Sequence, residues 1–307
     1  MGVSNIRNQV RAHFKKRGYN LTETVSGYMF LSPVIVWIGV FMAFPLYYII
    51  YLSFFEWNLI DPNKTFIGIG NYTRMFSDRE FMSSVYHTFY FTLMKTVFSV
   101  AAALAIALLL NQKIRGIVVI RGFFYSPVVV SMVAAAMIWG YLFDPNIGPL
   151  TQLFQAAGLT SPQWLDDPKW ALNSIIIMSI WKNMGYYAVI YLAALQGISH
   201  DYYEAAAIDG ARSFSKFLHI TWPLLMPASM LVIIMTVIHA FQVFAQVYVM
   251  TSGGPLGSTN VMVHYLYEVA FQHFEMGYAS AIGFVLFLLM FAVTLFQFKL
   301  MDKKIDF

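Results

Sequence analysis

Polar side chains recur at helical spacing inside two otherwise apolar stretches of the chain. The first stretch carries Lys182, Asn183 and Tyr186. The second stretch carries four polar residues at intervals of three and four, namely Thr236, His239, Gln242 and Gln246. Residues at these spacings share one face of a helix, and their amide, hydroxyl, imidazole and ammonium groups can hydrogen-bond to a polyhydroxylated solute. The pattern predicts two polar stripes that face one another across a wet cavity.

Ionisable and strongly polar groups are expensive within apolar spans, at about 2.5–3.5 kcal/mol for a central lysine, and are therefore functional candidates. The structural alternative is that a Gln or His only joins two helices, which contributes about 0.6–2 kcal/mol. Lys182 leaves three interpretations open: it pairs with a carboxylate, bonds a backbone carbonyl, or attracts an anionic solute. Lys95 is interpreted as a lysine that snorkels or pairs within the bundle.

A polar, alanine-rich segment, EAAAIDGARSFSKFLHITWPLLMP at residues 204–227, interrupts the apolar runs. Ser199 can cap a helix with Asp201 near its positive end, and three successive alanines favour that helix strongly. Gly210 favours a left-handed terminator, and Pro223 ends a second helical stretch. The sequence predicts two short helices around a sharp turn, with an alanine surface and an acidic rim suited to a protein groove.

Two other interpretations of this segment remain. It could lie on lipid as an amphipathic helix, although such helices are usually rich in Lys and Arg. Over residues 199–223 three acidic residues outnumber two basic ones, namely Asp201, Glu204 and Asp209 against Arg212 and Lys216. It could also be a simple connector between two spans.

The elements that must position these residues are membrane helices. The 307 residues are 59% hydrophobic and only 11% charged, compared with about 25% charged residues in soluble domains. A spanning helix needs about 20 apolar residues, and backbone groups in lipid must be satisfied internally. The sequence therefore predicts six spans, at about 28–54, 86–110, 117–143, 171–195, 224–250 and 279–300.

The positions of the basic residues predict the orientation. Most of the 19 Lys and Arg residues fall in the two tails and in the loops on one side, and such residues stay in the cytoplasm. Both termini and the loop at 199–223 are expected to be cytoplasmic, with tails at 1–27 and 301–307 around a membrane domain at 28–300. A cleaved signal peptide is not expected. The net charge of +4 follows from this bias and gives no reason to expect a nucleic acid, while the lack of cysteine excludes thiol chemistry.

The segment EAAAIDGA, followed by ITWPLLMP, resembles the EAA motif, roughly EAAxxDGAxxxxxFxxIxLPxxxP. This motif is typical of the permease subunits of bacterial binding-protein-dependent ATP-binding-cassette (ABC) importers, and the similarity is greatest to the carbohydrate group, which includes the maltose and glycerol-phosphate permeases. The resemblance covers nearly the whole chain through FPLYYIIYLSFFEWN, FIGIGNY, IWGYLFDPNIG, IWKNMGYY, YVMTSGGP and GYASA. Trp222 stands where the family usually has Leu, which changes local packing at the base of the membrane domain.

The resemblance implies an all-α integral membrane protein with six transmembrane helices and the type I ABC importer permease fold, in the bacterial cytoplasmic membrane. The loop would be a coupling helix seated in a cytoplasmic ATPase subunit through Glu204, Ala205, Ala206, Ala207, Asp209, Gly210 and Ala211. The implied partners are a second, related permease subunit, usually in a heterodimer, two ATPase subunits, and an extracytoplasmic solute-binding protein that delivers a sugar-like substrate.

The resemblance also bears on the chemistry of the chain. Substrate contacts in maltose-type permeases align with Asn183, Tyr186, Thr236 and His239, whereas Gln242 and Gln246 extend that set by periodicity alone. No catalytic residue, metal or cofactor is expected in this chain, because ATP-Mg would be used by the partner subunits. In agreement, the G-x-x-x-x-G-K-S/T sequence of a phosphate-binding loop is missing.

Two other classes of function remain as alternatives. An ion-driven secondary transporter of a small polar solute commonly needs a buried acidic residue, and no Asp or Glu lies in the middle of a predicted span. An intramembrane enzyme needs a nucleophile and base in register, and His239 has no acidic partner at helical spacing. The residues His264, Glu268, His273 and Glu275 lack metal-like spacing and are interpreted as surface groups or contacts of the binding protein.

Overall fold

The computed structural model describes residues 21–61, 63–112 and 115–302, and this part of the chain is almost entirely helical. Residues 1–20 of the expected N-terminal tail and residues 303–307 of the C-terminal tail lie outside it. The helices are α1 (Leu21–Ile38), α2 (Phe44–Leu52), α3 (Gly70–Ser77), α4 (Arg79–Leu110), α5 (Ile117–Val129), α6 (Met132–Leu142), α7 (Pro149–Ala156), α8 (Ala171–Gln196), α9 (His200–Ile208), α10 (Ser213–Lys216), α11 (Trp222–Leu224), α12 (Met226–Phe241), α13 (Ala245–Met250), α14 (Met262–Tyr267) and α15 (Met276–Asp302). Short π-helical segments join α1 to α2 (Gly39–Ala43) and α10 to α11 (Phe217–Thr221), and a third (Glu268–Gln272) follows α14. The strands β1 (Phe55–Glu56) and β2 (Thr65–Phe66) pair antiparallel, with Phe55 opposite Phe66.

Within the described residues, four helices are long and apolar enough to cross a membrane: Thr24–Leu52, Arg79–Leu110, Ala171–Gln196 and Met276–Leu300. Two further pairs of helices meet the same criterion only when each pair is taken together. The first pair is α5 with α6, bent by 99°, and the second is Ser213–Leu224 with α12, bent by 64°. The number of crossings by length and composition is thus four, or six if each bent pair is one span.

The stretch expected as one span at 117–143 is broken between α5 and α6. Pro127 has no N–H for the carbonyl of Phe123, and the hydroxyl of Ser126 donates to that oxygen instead, at 2.9 Å. Val130 is extended, and the Ser131 hydroxyl accepts from the Ala134 N–H at 3.2 Å, so that it caps α6. A new helix therefore starts within the apolar run.

A second break interrupts the stretch expected at 224–250. Helix α12 ends at Phe241, residues 242–244 are not helical, and α13 starts at Ala245. Helix α13 packs against α6, so the pieces that follow the two breaks contact one another. Non-helical backbone at membrane depth is tolerated only where it is buried in protein or lines a water-filled cavity.

The centre of the bundle is formed by α8, which packs along α4 and α5. Gly185 on α8 allows the close approach of α5, because a Cβ atom there would overlap the carbonyl oxygen of Phe124. Tyr187 and Tyr191 are fully buried beside it. Helix α1 behaves differently: the apolar window of the span Thr24–Leu52 has none of its residues buried against the rest of the chain.

At the opposite end of the bundle from the loop at 199–223, Asp78 ties α4 to the last two helices. Its carboxylate caps α4 by accepting from the Glu80 and Phe81 N–H groups, at 3.0 and 3.1 Å. It also accepts from the hydroxyls of Tyr265 and Tyr278, at 2.6 and 2.5 Å. Burial alone raises the pKa of Asp78, but these four hydrogen bonds outweigh it and hold the pKa below its ordinary value. The stabilisation is therefore complete at neutral pH and is lost as the pH falls through the lowered pKa.

We expect Asp78→Ala to lower the unfolding free energy by at least about 2 kcal/mol, because it removes a helix cap and leaves two tyrosine hydroxyls without their charged acceptor. The midpoint of thermal unfolding in detergent measures the effect. Asp166→Ala, which removes an exposed carboxylate, is the control and should leave the midpoint unchanged. Equal midpoints for both variants would show that the network does not stabilise this end of the bundle.

Candidate functional site

A cavity of about 380 Å³ lies where the two helix breaks meet. It is lined by side chains or backbone of Lys95, Met132, Asn183, His239, Gln242, Val243, Phe244, Ala245 and Gln246. Met132 opens the helix after the first break, and residues 242–244 form the second break. The unwound backbone thus faces a cavity, in agreement with the physical requirement for irregular backbone at this depth.

Four of the seven residues expected along the solute pathway line this cavity. Asn183 donates from Nδ2 to the Ser179 carbonyl oxygen at 3.0 Å, and the buried Gln246 donates to the Ser179 hydroxyl at 3.4 Å. His239 and Gln242 are exposed at the rim, and the Nδ1 of His239 lies 3.1 Å from the Tyr187 hydroxyl. Within the described residues, the amide of Gln242 and the amide oxygens of Asn183 and Gln246 make no hydrogen bond, which leaves them available to a solute.

The other three candidates lie outside the cavity lining. Lys182 donates from Nζ to the Val128 carbonyl oxygen at 3.0 Å, so its ammonium caps the C-terminal end of α5, where a helix dipole favours positive charge. Thr236 is fully buried and donates to the Val232 carbonyl oxygen at 2.7 Å within its own helix. Tyr186 packs edge-on against Tyr187, with ring centroids 5.5 Å apart.

Lys95 lines the cavity, although sequence reasoning treated it as a lysine that snorkels or pairs in the bundle. Its side chain is on α4 and only 1% exposed, and its Nζ atom lies 5.7 Å from the centroid of the Phe91 ring. The sequence contains a pattern that could have indicated a position of Lys95 on the polar face of α4. Polar residues recur on α4 at intervals of four, three and four, and all of them are buried: Thr88, Thr92, Lys95 and Ser99.

The loop at 199–223 has the local structure that its sequence predicts. The Ser199 hydroxyl accepts from the Asp201 N–H at 3.3 Å and caps α9. Gly210 has φ of +78°, and the Ala211 N–H returns to the Ala206 carbonyl oxygen at 2.8 Å. This left-handed ending is typical of glycine. The prediction of a capped helix with a glycine terminator is confirmed.

Helix α9 presents its residues to the outside, and none of its side chains is buried. Among the described residues, the Glu204 carboxylate has one polar partner, His200, at 2.9 Å, and both side chains are largely exposed. Ile208 is 88% exposed and Phe214, just beyond the turn, is 74% exposed. Apolar side chains presented together with an acidic rim form a surface suited to another protein.

Through the chain, α9 is connected to both sides of the cavity. It follows α8, which carries Asn183, after only three residues, and it precedes the segment that leads into α12 and His239. The Tyr203 hydroxyl lies 3.0 Å from the Thr221 hydroxyl and joins α9 to that second segment. The structure bends after α11, at Leu225, so the segment expected to end at Pro223 continues by one residue, to Leu224.

Known proteins resemble this chain over most of its length. The family described as "Binding-protein-dependent transport system inner membrane component" matches residues 95–306. The probable ABC transporter permease protein YurN of Bacillus subtilis is 36% identical over 276 residues, which cover 89% of this chain and 94% of that protein. The sn-glycerol-3-phosphate transport system permease protein UgpA of Brucella abortus is 31% identical over 281 residues, covering 91% of this chain and 96% of that protein.

A similar fold occurs among solved structures. A chain from the crystal structure of a bacterial alginate ABC transporter, in complex with an alginate pentasaccharide-bound periplasmic protein, matches with a TM-score of 0.79 at 21% identity. The match covers 92% of this chain and 95% of the other. At this level of identity the match establishes the fold alone.

Proposed function

This chain belongs to the family of binding-protein-dependent transport system inner membrane components, as a multi-pass ABC transporter permease, and we propose that it forms half of an ATP-driven import pathway for a sugar or sugar-like solute. One observation carries the proposal. A polar cavity at the meeting point of two helix breaks is connected, through α8 and α12, to an exposed helix with the EAA sequence.

In the proposed topology the chain crosses the bacterial cytoplasmic membrane six times, with each bent pair of helices counted as one crossing. Both termini and the loop at 199–223 lie in the cytoplasm. The support for this orientation is the concentration of Lys and Arg in the tails and in the loops on that side.

The loop at 199–223 acts as the coupling element in this proposal. Helix α9 sits in a cleft of a cytoplasmic ATPase subunit, and closure of two such subunits on ATP moves α8 and the segment before α12 together. Because α8 carries Asn183, and the segment before α12 leads into the helix that carries His239, the movement alters the cavity directly. The ATP-Mg belongs to the ATPase subunits, and this chain needs no cofactor of its own.

The second half of the pathway is a related permease subunit, most simply in a heterodimer. Helix α1 and its continuation α2 support this, since the span Thr24–Leu52 buries none of its apolar window within its own chain. Such a helix has its surface available for lipid and for a neighbouring subunit.

The chemistry of the cavity fits a polyhydroxylated solute. Amide and imidazole groups supply both donors and acceptors to hydroxyls, and the free groups of Asn183, Gln242 and His239 lie on different elements around one space. An extracytoplasmic binding protein would deliver the solute, and the related alginate transporter has such a periplasmic protein in its complex. One relative is named for sn-glycerol 3-phosphate, a small hydroxylated solute.

The test is uptake by the co-purified complex in sealed vesicles, with its binding protein loaded with a labelled sugar that this protein is found to bind. We expect uptake that requires ATP on the ATPase side and persists when an ionophore collapses ion gradients. Uptake that stops with the ionophore and proceeds without ATP would instead assign the chain to the ion-driven secondary transporters.

His239→Ala and Gln242→Ala are each expected to lower uptake about fivefold, because each removes a hydrogen-bonding group worth about 1 kcal/mol from the cavity rim. Affinity of the binding protein for its ligand should not change, since neither residue belongs to that protein. Gln152→Ala, which removes an exposed amide outside the cavity, is the matched control. If neither uptake nor stimulated ATP hydrolysis changes, His239 and Gln242 are packing residues.

A further inference from the structure

We propose that the cavity binds an anionic group of the transported solute and that the ammonium of Lys95 is its counter-ion. The inference rests on the proposed function and narrows its substrate class to sugar acids, sugar phosphates or sugar sulfonates. It follows from the position of one charge and from the groups that surround it.

The ammonium of Lys95 has no carboxylate partner in the described part of the chain. The ion pairs found there join Arg74 to Glu275, His200 to Glu204 and His264 to Glu268, and none of them includes a residue of α4. The residues that line the cavity include no Asp or Glu. Since a buried charge is stabilised when it is paired or strongly hydrogen-bonded, an anion in the cavity would stabilise the charged form of Lys95, and the described part of this chain supplies none.

Lys182, in the same bundle, has the hydrogen-bond acceptor that Lys95 lacks among the described residues. Its Nζ donates to the Val128 carbonyl oxygen at 3.0 Å, at the end of a helix, and the residue does not line the cavity. Lys95 has only the ring of Phe91, at 5.7 Å, and the cavity. Of Lys95 and Lys182, Lys95 is therefore the one whose charge remains available to a ligand.

The remaining lining groups suit an oxyanion attached to a sugar. Carboxylates, phosphates and sulfonates accept hydrogen bonds from ammonium and amide N–H groups, and the Gln242 amide has no partner among the described residues. The amide oxygens of Asn183 and Gln246 remain to accept from solute hydroxyls. A wholly neutral sugar would fill the same space and leave the Lys95 charge uncompensated.

The lack of cysteine in this chain allows a direct test that does not depend on transport. Gln242→Cys places a thiol at the exposed rim of the cavity, in the complete complex reconstituted in phosphatidylcholine vesicles. Its rates of reaction are measured with an anionic and a cationic methanethiosulfonate reagent, relative to the complex without the introduced cysteine. The ratio of the two rates reports the electrostatic potential of the cavity.

We expect Lys95→Met to lower the anionic-to-cationic ratio about tenfold, because the charge attracts one reagent and repels the other. Lys95→Arg should keep the ratio within about twofold of the parent. The control is Gln152→Cys, whose ratio should not respond to Lys95→Met. A ratio at Gln242→Cys that is independent of residue 95 would overturn the proposal, since a carboxylate of the partner subunit would then neutralise the lysine.

A second measurement identifies the ligand class. Glucuronate and glucose differ by one carboxylate, and each is tested for protection of the Gln242→Cys thiol from the cationic reagent. We expect glucuronate to protect more strongly than glucose, and the difference to vanish with Lys95→Met. Equal protection, or none, would contradict an anionic solute. Protection that appears only when phosphatidylglycerol is added would assign the site to a lipid headgroup and also overturn the proposal.

These outcomes are separate from those of the uptake experiment. If uptake does not depend on ATP but the cavity potential still depends on Lys95, the proposed function is contradicted and the anion site is supported. If uptake is ATP-driven but the cavity potential does not depend on residue 95, the proposed importer function stands and the proposed anion site is contradicted.

Discussion

Glu204→Lys is expected to lower ATP-driven uptake at least about thirtyfold while the folded protein remains in the membrane at its normal level. The side chain is 67% exposed and, in the described part of the chain, its carboxylate pairs with His200 alone; such an exposed pair contributes less than about 1 kcal/mol to stability. In the proposed complex this carboxylate lies in a protein interface, where loss of a paired charge costs roughly 2–5 kcal/mol. A cost of about 2 kcal/mol corresponds to the thirtyfold loss.

Co-purification of the ATPase subunits, uptake into vesicles and stimulated ATP hydrolysis measure this effect together. The matched control is His200→Ala, which removes the same contact but leaves the carboxylate on the surface. It should bind the ATPase subunits and support uptake as the parent does. Normal uptake by Glu204→Lys would show that α9 is not a docking surface and would remove the coupling role from the loop.

The features that could be predicted from the sequence are those set by neighbours along the chain. The cap at Ser199 and the left-handed turn at Gly210 depend only on residues a few positions away, and both were predicted correctly. Membrane character also follows from composition alone, because long apolar runs in lipid have few alternatives to helices.

The helix breaks could not be predicted in the same way. Hydropathy averages over some 20 residues and does not register that Val130 is extended, or that α12 stops at Phe241. Because of the second break, the four polar residues at 236–246 do not lie on one continuous helix. Thr236 points into the packed bundle and bonds to Val232, whereas Gln246 reaches the cavity from a new helix, α13.

The role of Lys95 required the tertiary structure for a different reason. Spacing showed that Lys95 and Lys182 each interrupt an apolar run, and nothing local distinguishes them. Only the packing of α5 against α8 supplies the Val128 carbonyl oxygen to Lys182, and only the meeting of the two breaks opens a cavity beside Lys95.

Gly185→Val is expected to lower the unfolding free energy by about 3 kcal/mol or more, and to reduce the yield of folded protein sharply. A Cβ at this position overlaps the Phe124 carbonyl oxygen and lies 3.1 Å from the Cα atom of Tyr125. Both atoms belong to the backbone of α5, so no side-chain rotation relieves the overlap, and overpacking of this kind costs about 1–3 kcal/mol or more. Separation of α5 from α8 would also take the Val128 carbonyl oxygen away from the Lys182 ammonium.

The matched control lies on the facing helix. A Cβ at Gly122 of α5 meets no atom within 4 Å, so Gly122→Ala should be neutral or stabilise the helix by up to about 1 kcal/mol. Thermal unfolding in detergent and the monodisperse fraction after purification compare the two variants with the parent. If Gly185→Val unfolds at the parent's midpoint, α5 and α8 are further apart than described, and the carbonyl cap on Lys182 would not form. Lys182 would then be a second lysine without a partner, and it would compete with Lys95 for the role of counter-ion.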